Sequence, residues 1–168
     1  MMHKVAQYAR RLQDSHPYLP LDPDSERFRI TGQIHTDPAH VAVVGTGAFF
    51  GTLARYELGL WIPAGRGGWP TAVLVINVAG AFLLGLLLQG LLHRGKDEGG
   101  RRILRLMVGT GFLGAFTTYS SLATGVALFV QSGQMVTAVA YAGASVVLGG
   151  LATVLGIQLA ARGRGGRR

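Results

Sequence analysis

Between residues 106 and 161 the chain holds no Asp, Glu, Lys, Arg or His. No soluble surface can be built from such a stretch, because soluble domains carry about a quarter of their residues as charges. Over the whole chain the charged share is 14%, against 49% apolar. A bilayer accounts for both. About 20 helical residues cross a hydrocarbon core, so the uncharged stretch is too long for one helix. Its only cluster of amides, Gln131-Ser132-Gly133-Gln134, reads as a turn. It leaves one span near 106–130 and another near 135–160.

Two further spans precede these. Residues 69–92 are free of charge and are bounded by Trp69 and His93. Residues 41–62 open with Val-Ala-Val-Val-Gly-Thr-Gly and close near Trp61, an aromatic suited to the headgroup level. The fold expected is therefore an all-α integral membrane protein of four transmembrane helices, with a domain at 41–161. Residues 1–40 are polar, contain Pro17, Pro20, Pro23 and Pro38, and read as a disordered tail. Arg10-Arg11 is followed by Gln13-Asp14-Ser15-His16-Pro17 and not by an apolar run, so no cleaved signal is expected. Residues 162–168 form a short basic tail.

An even number of spans puts both termini on one side. That side holds Lys4, Arg10, Arg11, Arg27 and Arg29, the loop cations Arg94, Lys96, Arg101, Arg102 and Arg105, and the arginines of the basic tail. The opposite side holds Arg66 alone. The positive-inside rule then predicts a plasma-membrane protein of one fixed orientation with cytoplasmic termini. The formal charge of +8 does not imply nucleic acid, because the basic residues flank apolar spans and form no binding face. With no cysteine, disulfides, thiolate catalysis and Cys-ligated metals are excluded. The histidines lie in the tail, its junction or a loop, and no nucleophile, base and orienting group occur together, so no enzyme is expected.

The third span is the unusual one. Residues 109–125 place Gly109, Gly111, Gly114 and Gly125 among Thr and Ser hydroxyls at membrane depth. Small residues and hydroxyls serve ordinary helix packing. Their density here also suits a helix broken near its middle, whose freed carbonyls would be good ligands for a hard cation. Asn77 is the one strongly polar side chain inside span two before Gln89. It reads equally as an interhelical hydrogen bond or as a donor to a permeating anion. Tyr141 and Ser145, at i and i+4, share a helix face. Arg55, late in span one, is an interfacial anchor or a vestibule charge.

Three motifs resemble the CrcB/Fluc family of small fluoride channels. They are Gly51-Thr-Leu-Ala-Arg55-Tyr56; Ile76-Asn77 followed by Gly80, Phe82 and Gly85; and Gly111-Phe112-Leu113-Gly114-Ala115-Phe116-Thr117-Thr118. The resemblance covers about 41–160. It implies an antiparallel dimer that passively exports fluoride from the cytoplasm, with a structural sodium ion at the dimer centre held by the backbone carbonyls of Gly114 and Thr117. It further implies that Asn77, Tyr119, Ser120, Ser121, Tyr141 and Ser145 line the ion path and that Arg55 is the family arginine.

The chain also departs from the pattern. Tyr119 and Leu122 stand where the family places phenylalanines, and Val73, Gly125 and Gly149 replace a threonine, a glutamate and a serine. Together with the charge asymmetry, these losses suggest one half of an antiparallel heterodimer formed with a paralogue, in place of a homodimer. A non-conducting structural subunit of such a channel is the alternative. A small multidrug-type exporter fits less well, because it needs a membrane-embedded carboxylate and spans two to four have none.

Overall fold

The structure, a computed structural model, describes residues 37–162. The tail residues 1–36 and 163–168, with the expectations that fall on them, lie outside the described residues. Helix α1 is Pro38–Trp61. It starts inside the region read as tail, because proline at a first helical position is already set in helical φ and has no amide to leave unbonded. A short 3₁₀ turn, Arg66–Gly68, leads to α2, Thr71–Leu92.

The third span is composite. It comprises α3, Gly100–Leu104; a π-helical segment, Arg105–Leu113; α4, Gly114–Phe116; and α5, Tyr119–Gln131. A turn through Gly133, at φ +73°, leads into α6, Met135–Arg162. No strand is found among the described residues.

Three helical stretches are long and apolar enough to cross a membrane: Thr71–Leu92, Gly100–Gln131 and Met135–Arg162. Helix α1 is long enough, since 24 residues rise about 36 Å at 1.5 Å each, but its His40, Thr46, Thr52, Arg55 and Glu57 dilute its apolarity. The surface is apolar over much of its extent. Val136 is 84% exposed and Val146 72%, which suits hydrocarbon and would be an aggregation hazard in water.

Close backbone approach holds the helices together. Gly85 of α2 lies against the Thr153 backbone of α6, and Gly156 of α6 lies against the Phe82 carbonyl and Leu86 amide of α2, so a Cβ at either position would strike main chain. This is how small residues serve helix pairs in lipid, where association relies on van der Waals fit in place of the hydrophobic effect. Helix α1 buries Gly47 and Gly51 against the π-helical segment in the same manner. Two small cores fill the remaining space. Ile76, Leu113 and Phe116 form one; Phe129, Ala138 and Tyr141 form the other, which is lined by Trp69, Leu74 and Leu122.

Candidate functional site

Between α4 and α5 the chain leaves helical geometry for two residues. Thr117 has φ −76°, ψ 158°, and Thr118 has φ −147°, ψ 114°. Both are extended. Buried main-chain groups in such a segment need partners from elsewhere, and Asn77 of α2 supplies two. Its Nδ2 donates to the Thr118 carbonyl at 3.0 Å, and its Oδ1 accepts the Thr118 amide at 2.8 Å. The side-chain amide thus pairs with Thr118 as a neighbouring strand would, and it keeps one N–H for another acceptor.

Thr118 then caps α5. Its Oγ1 accepts the Ser121 amide at 3.1 Å, donates to Ser121 Oγ at 3.0 Å and lies 3.1 Å from Ser120 Oγ. In a continuous helix the Thr118 amide would bond the Gly114 carbonyl, and the Ser121 amide the Thr117 carbonyl. Here both amides are directed elsewhere, to Asn77 and to the cap. Thr117 itself donates from its amide (3.1 Å) and its hydroxyl (3.0 Å) to the Leu113 carbonyl. Space for the Thr117 methyl comes from Gly80 of α2, where any Cβ would collide with it.

The sequence-predicted residues separate into two groups. Asn77, Gly114, Thr117, Ser120 and Ser121 meet at the interruption. Tyr119 follows them on α5 but is 81% exposed, with its ring directed outward. Tyr141 and Ser145 lie apart, and no hydrogen bond joins either to the Thr118 cluster among the described residues. The Ser145 hydroxyl bonds back to the Tyr141 carbonyl at 2.8 Å, an ordinary helical serine contact. Tyr141 is fully buried with edge contacts to Trp69 and Phe129, at centroid distances of 5.6 and 6.0 Å, and its hydroxyl has no protein partner.

Position 125, where the resemblance calls for a glutamate, is crowded by side chains. A Cβ on Gly125 would lie 2.9 Å from Pro70 Cγ and 3.2 Å from Tyr141 Cε1. Arg55 is half-buried on α1, and no ion pair joins it to Glu57 among the described residues. No group of three His, Cys, Asp or Glu able to hold a metal is found among the described residues. A cation at this site would therefore depend on neutral oxygens.

Reading the sequence for site residues missed Thr118 and Gly80. The first had a signal, since a threonine ahead of a Ser-Ser pair at a helix start is a capping pattern. The second stands in the motif with Ile76 and Asn77, but the reason for a glycine there comes from a methyl on another helix.

The family model described as CrcB-like protein, Camphor Resistance (CrcB), matches residues 42–157. The chain is 42% identical over 121 residues to the fluoride-specific ion channel FluC 1 of Cutibacterium acnes, covering 72% of this chain and 85% of that protein. It is 41% identical over 121 residues to the fluoride-specific ion channel FluC of Phenylobacterium zucineum, covering 71% and 94%. To the fluoride-specific ion channel FluC 2 of Leifsonia xyli it is 39% identical over 133 residues, covering 76% and 88%. A helical fold suited to a membrane, a polar cluster held by Asn77 and a match across nearly all of the described residues converge on one assignment: the chain belongs to the CrcB family.

Proposed function

We propose that this chain is a subunit of a fluoride-specific ion channel that lets fluoride leave the cytoplasm passively and so lowers its toxicity. Four spans cross the membrane, α1 included, and the third does so as a helix broken at Thr117 and Thr118. The observation that carries the reading is the double hydrogen bond from Asn77 to Thr118. It stabilises an extended segment at membrane depth, where main chain is tolerated only against protein or a water-filled cavity. The names of the relatives supply the ion.

The residues suit a structural sodium ion. With the Thr118 amide on Asn77 and the Ser121 amide on the cap, the Gly114 and Thr117 carbonyls are the hard oxygen donors such an ion prefers. When bound, the ion supplies a fixed positive charge in a region without ionised side chains. The carbonyls of a second, oppositely oriented subunit would complete its shell. Around it, the hydroxyls of Ser120 and Ser121 and the remaining Asn77 N–H offer neutral donors that replace water on a small anion without trapping it. Tyr119, Tyr141 and Ser145 extend that path, and Arg55 stands at its mouth.

The asymmetric cations favour a fixed orientation with cytoplasmic termini, and hence a heterodimer with a paralogue of reversed charge distribution. Two of the relatives bear numerals, FluC 1 and FluC 2, in keeping with a pair of related chains. A second reading, a non-conducting subunit that completes its partner's pore, is favoured by one feature. Gly125, Pro70 and Tyr141 close on each other where a polar side chain would be wanted.

Fluoride efflux from liposomes separates these readings. Flux only when a reversed-bias paralogue is added supports the heterodimer, and flux from the chain alone supports a homodimer. The chain lacks cysteine, so single cysteines added at the termini report orientation cleanly. Labelling from both faces of the membrane overturns the fixed topology. A path variant without effect on flux in the complete complex, Ser120→Ala together with Ser121→Ala, leaves the non-conducting subunit.

A further inference from the structure

The segment between α2 and α3 is built around one guanidinium. Arg101 donates from Nη1 to the Arg94 carbonyl at 2.7 Å and from Nε to the Lys96 carbonyl at 2.8 Å. Gly95, between them, takes φ +107°, a conformation that side chains rarely adopt. Residues 94 and 96 are thereby held as neighbours on one rim of the loop. Their own side chains are exposed, and neither has a hydrogen bond or ion pair among the described residues.

The Asp97 carboxylate of the same loop is engaged by other arginines. Asp97 Oδ2 accepts from Arg105 at 2.7 Å (Nη2) and 2.9 Å (Nε), with Arg102 Nε at 4.0 Å. The loop therefore sorts its charges, with Arg101 and Arg105 committed to its own architecture and Arg94 and Lys96 directed outward. Apolar side chains are exposed on the elements that border the loop, Leu92 at the end of α2 (74%) and Ile103 on α3 (46%). Two exposed cations on a braced backbone, without an ion pair among the described residues and bordered in sequence by exposed Leu92 and Ile103, match a ligand that is anionic at one end and apolar at the other.

We propose that Arg94 and Lys96 bind the phosphate of an anionic phospholipid headgroup, with Arg101 as the strut that positions them. The inference rests on the membrane placement proposed above and not on fluoride conduction. A soluble phosphate would gain nothing from Leu92 and Ile103, whereas the acyl chains of a lipid lie along them.

The test uses the full chain in detergent micelles, with native mass spectrometry reading retention of phosphatidylglycerol against phosphatidylcholine of the same acyl chains. Wild type retains phosphatidylglycerol preferentially. The double variant Arg94→Gln, Lys96→Gln loses about thirtyfold of that preference, at about fivefold for each basic residue beside an anionic headgroup, with its melting temperature unchanged. Arg162→Gln, which removes one positive charge at the end of α6, leaves the preference nearly intact. Equal retention of the two lipids, a preference that survives the double variant, or an equal per-residue loss in Arg162→Gln overturns the site. Displacement of the lipid by millimolar inorganic phosphate overturns it also, by marking a soluble-anion site. Fluoride efflux measured on the same variants is a separate readout, so failure of conduction leaves this result standing.

Discussion

Asn77 and Thr118, 41 residues apart, are joined by two hydrogen bonds of 3.0 and 2.8 Å that pair a side-chain amide with a main-chain peptide. This pairing converts a local weakness of the third span into a defined geometry. It also fixes the structural role of Asn77, which supports the backbone of another span and keeps one N–H beyond that pairing.

Removing that support is expected to be costly. Asn77→Ala leaves the Thr118 amide and carbonyl without partners, and each orphaned buried group costs about 1–3 kcal/mol. The variant should melt well below the wild type in detergent, and liposomes containing the complete channel should lose most of their fluoride efflux. Asn77→Asp retains an acceptor for the Thr118 amide but, when ionised, turns a second acceptor on the Thr118 carbonyl and buries a charge, so it should also melt well below the wild type. Equal melting of Asn77→Ala and wild type would show that the pairing contributes nothing.

Gly80 and Thr117 offer a sharper test, because the conflict between them is a single methyl. Gly80→Ala brings a Cβ onto Thr117 Cγ2 and should destabilise by about 1–3 kcal/mol, as overpacked sites do. Thr117→Ser removes that methyl and keeps the hydroxyl that bonds the Leu113 carbonyl. The double variant should therefore recover most of the loss, and a double-mutant cycle on melting temperatures measures the coupling. Additive losses would mean that the two residues do not constrain each other.

Much of the architecture was legible because apolar runs, charges and turns are local. The turn at 131–134 separates α5 from α6 where the amides fall, and α2 ends at Leu92, next to His93, as expected. The start of the third span was not legible. Helical geometry begins at Gly100, six residues ahead of the uncharged stretch, because Arg101, Arg102 and Arg105 take partners in the preceding loop and so tolerate a helix that hydropathy alone would not begin there. Nor could glycine density locate the extended pair. Gly109, Gly111 and Gly114 all remain helical, and the chain leaves helical geometry beyond them, at Thr117, where Asn77 arrives from a different span. A long-range hydrogen bond leaves no periodic trace in the sequence. The same holds for Tyr141 and Ser145, whose i, i+4 spacing predicts a shared face but not that one hydroxyl bonds the helix and the other is buried without a protein partner.

The contact between α2 and α6 predicts a third outcome. Gly156→Val would drive branched carbon into the Phe82 carbonyl and the Leu86 amide, neither of which can move without displacing α2. Lipid provides no hydrophobic force to hold a separated pair together. The variant should lose monodispersity in size-exclusion chromatography and melt at a lower temperature, whereas a valine at Gly150, which has open space around it, should do neither.

Tyr141 separates stability from transport. Its hydroxyl is buried without a protein partner, and an unpartnered buried polar group opposes folding by about 1–3 kcal/mol. Tyr141→Phe removes the oxygen and preserves the ring contacts with Trp69 and Phe129, so the melting temperature should hold or rise. If the hydroxyl meets fluoride as it passes, efflux from liposomes containing the complete channel should fall at least tenfold in the same variant. A residue that only filled the core would give the thermal result without the kinetic one. Unchanged efflux from Tyr141→Phe would therefore place the enclosure formed by Gly125, Pro70 and Tyr141 off the ion path, and with it this chain on the non-conducting side of the pair.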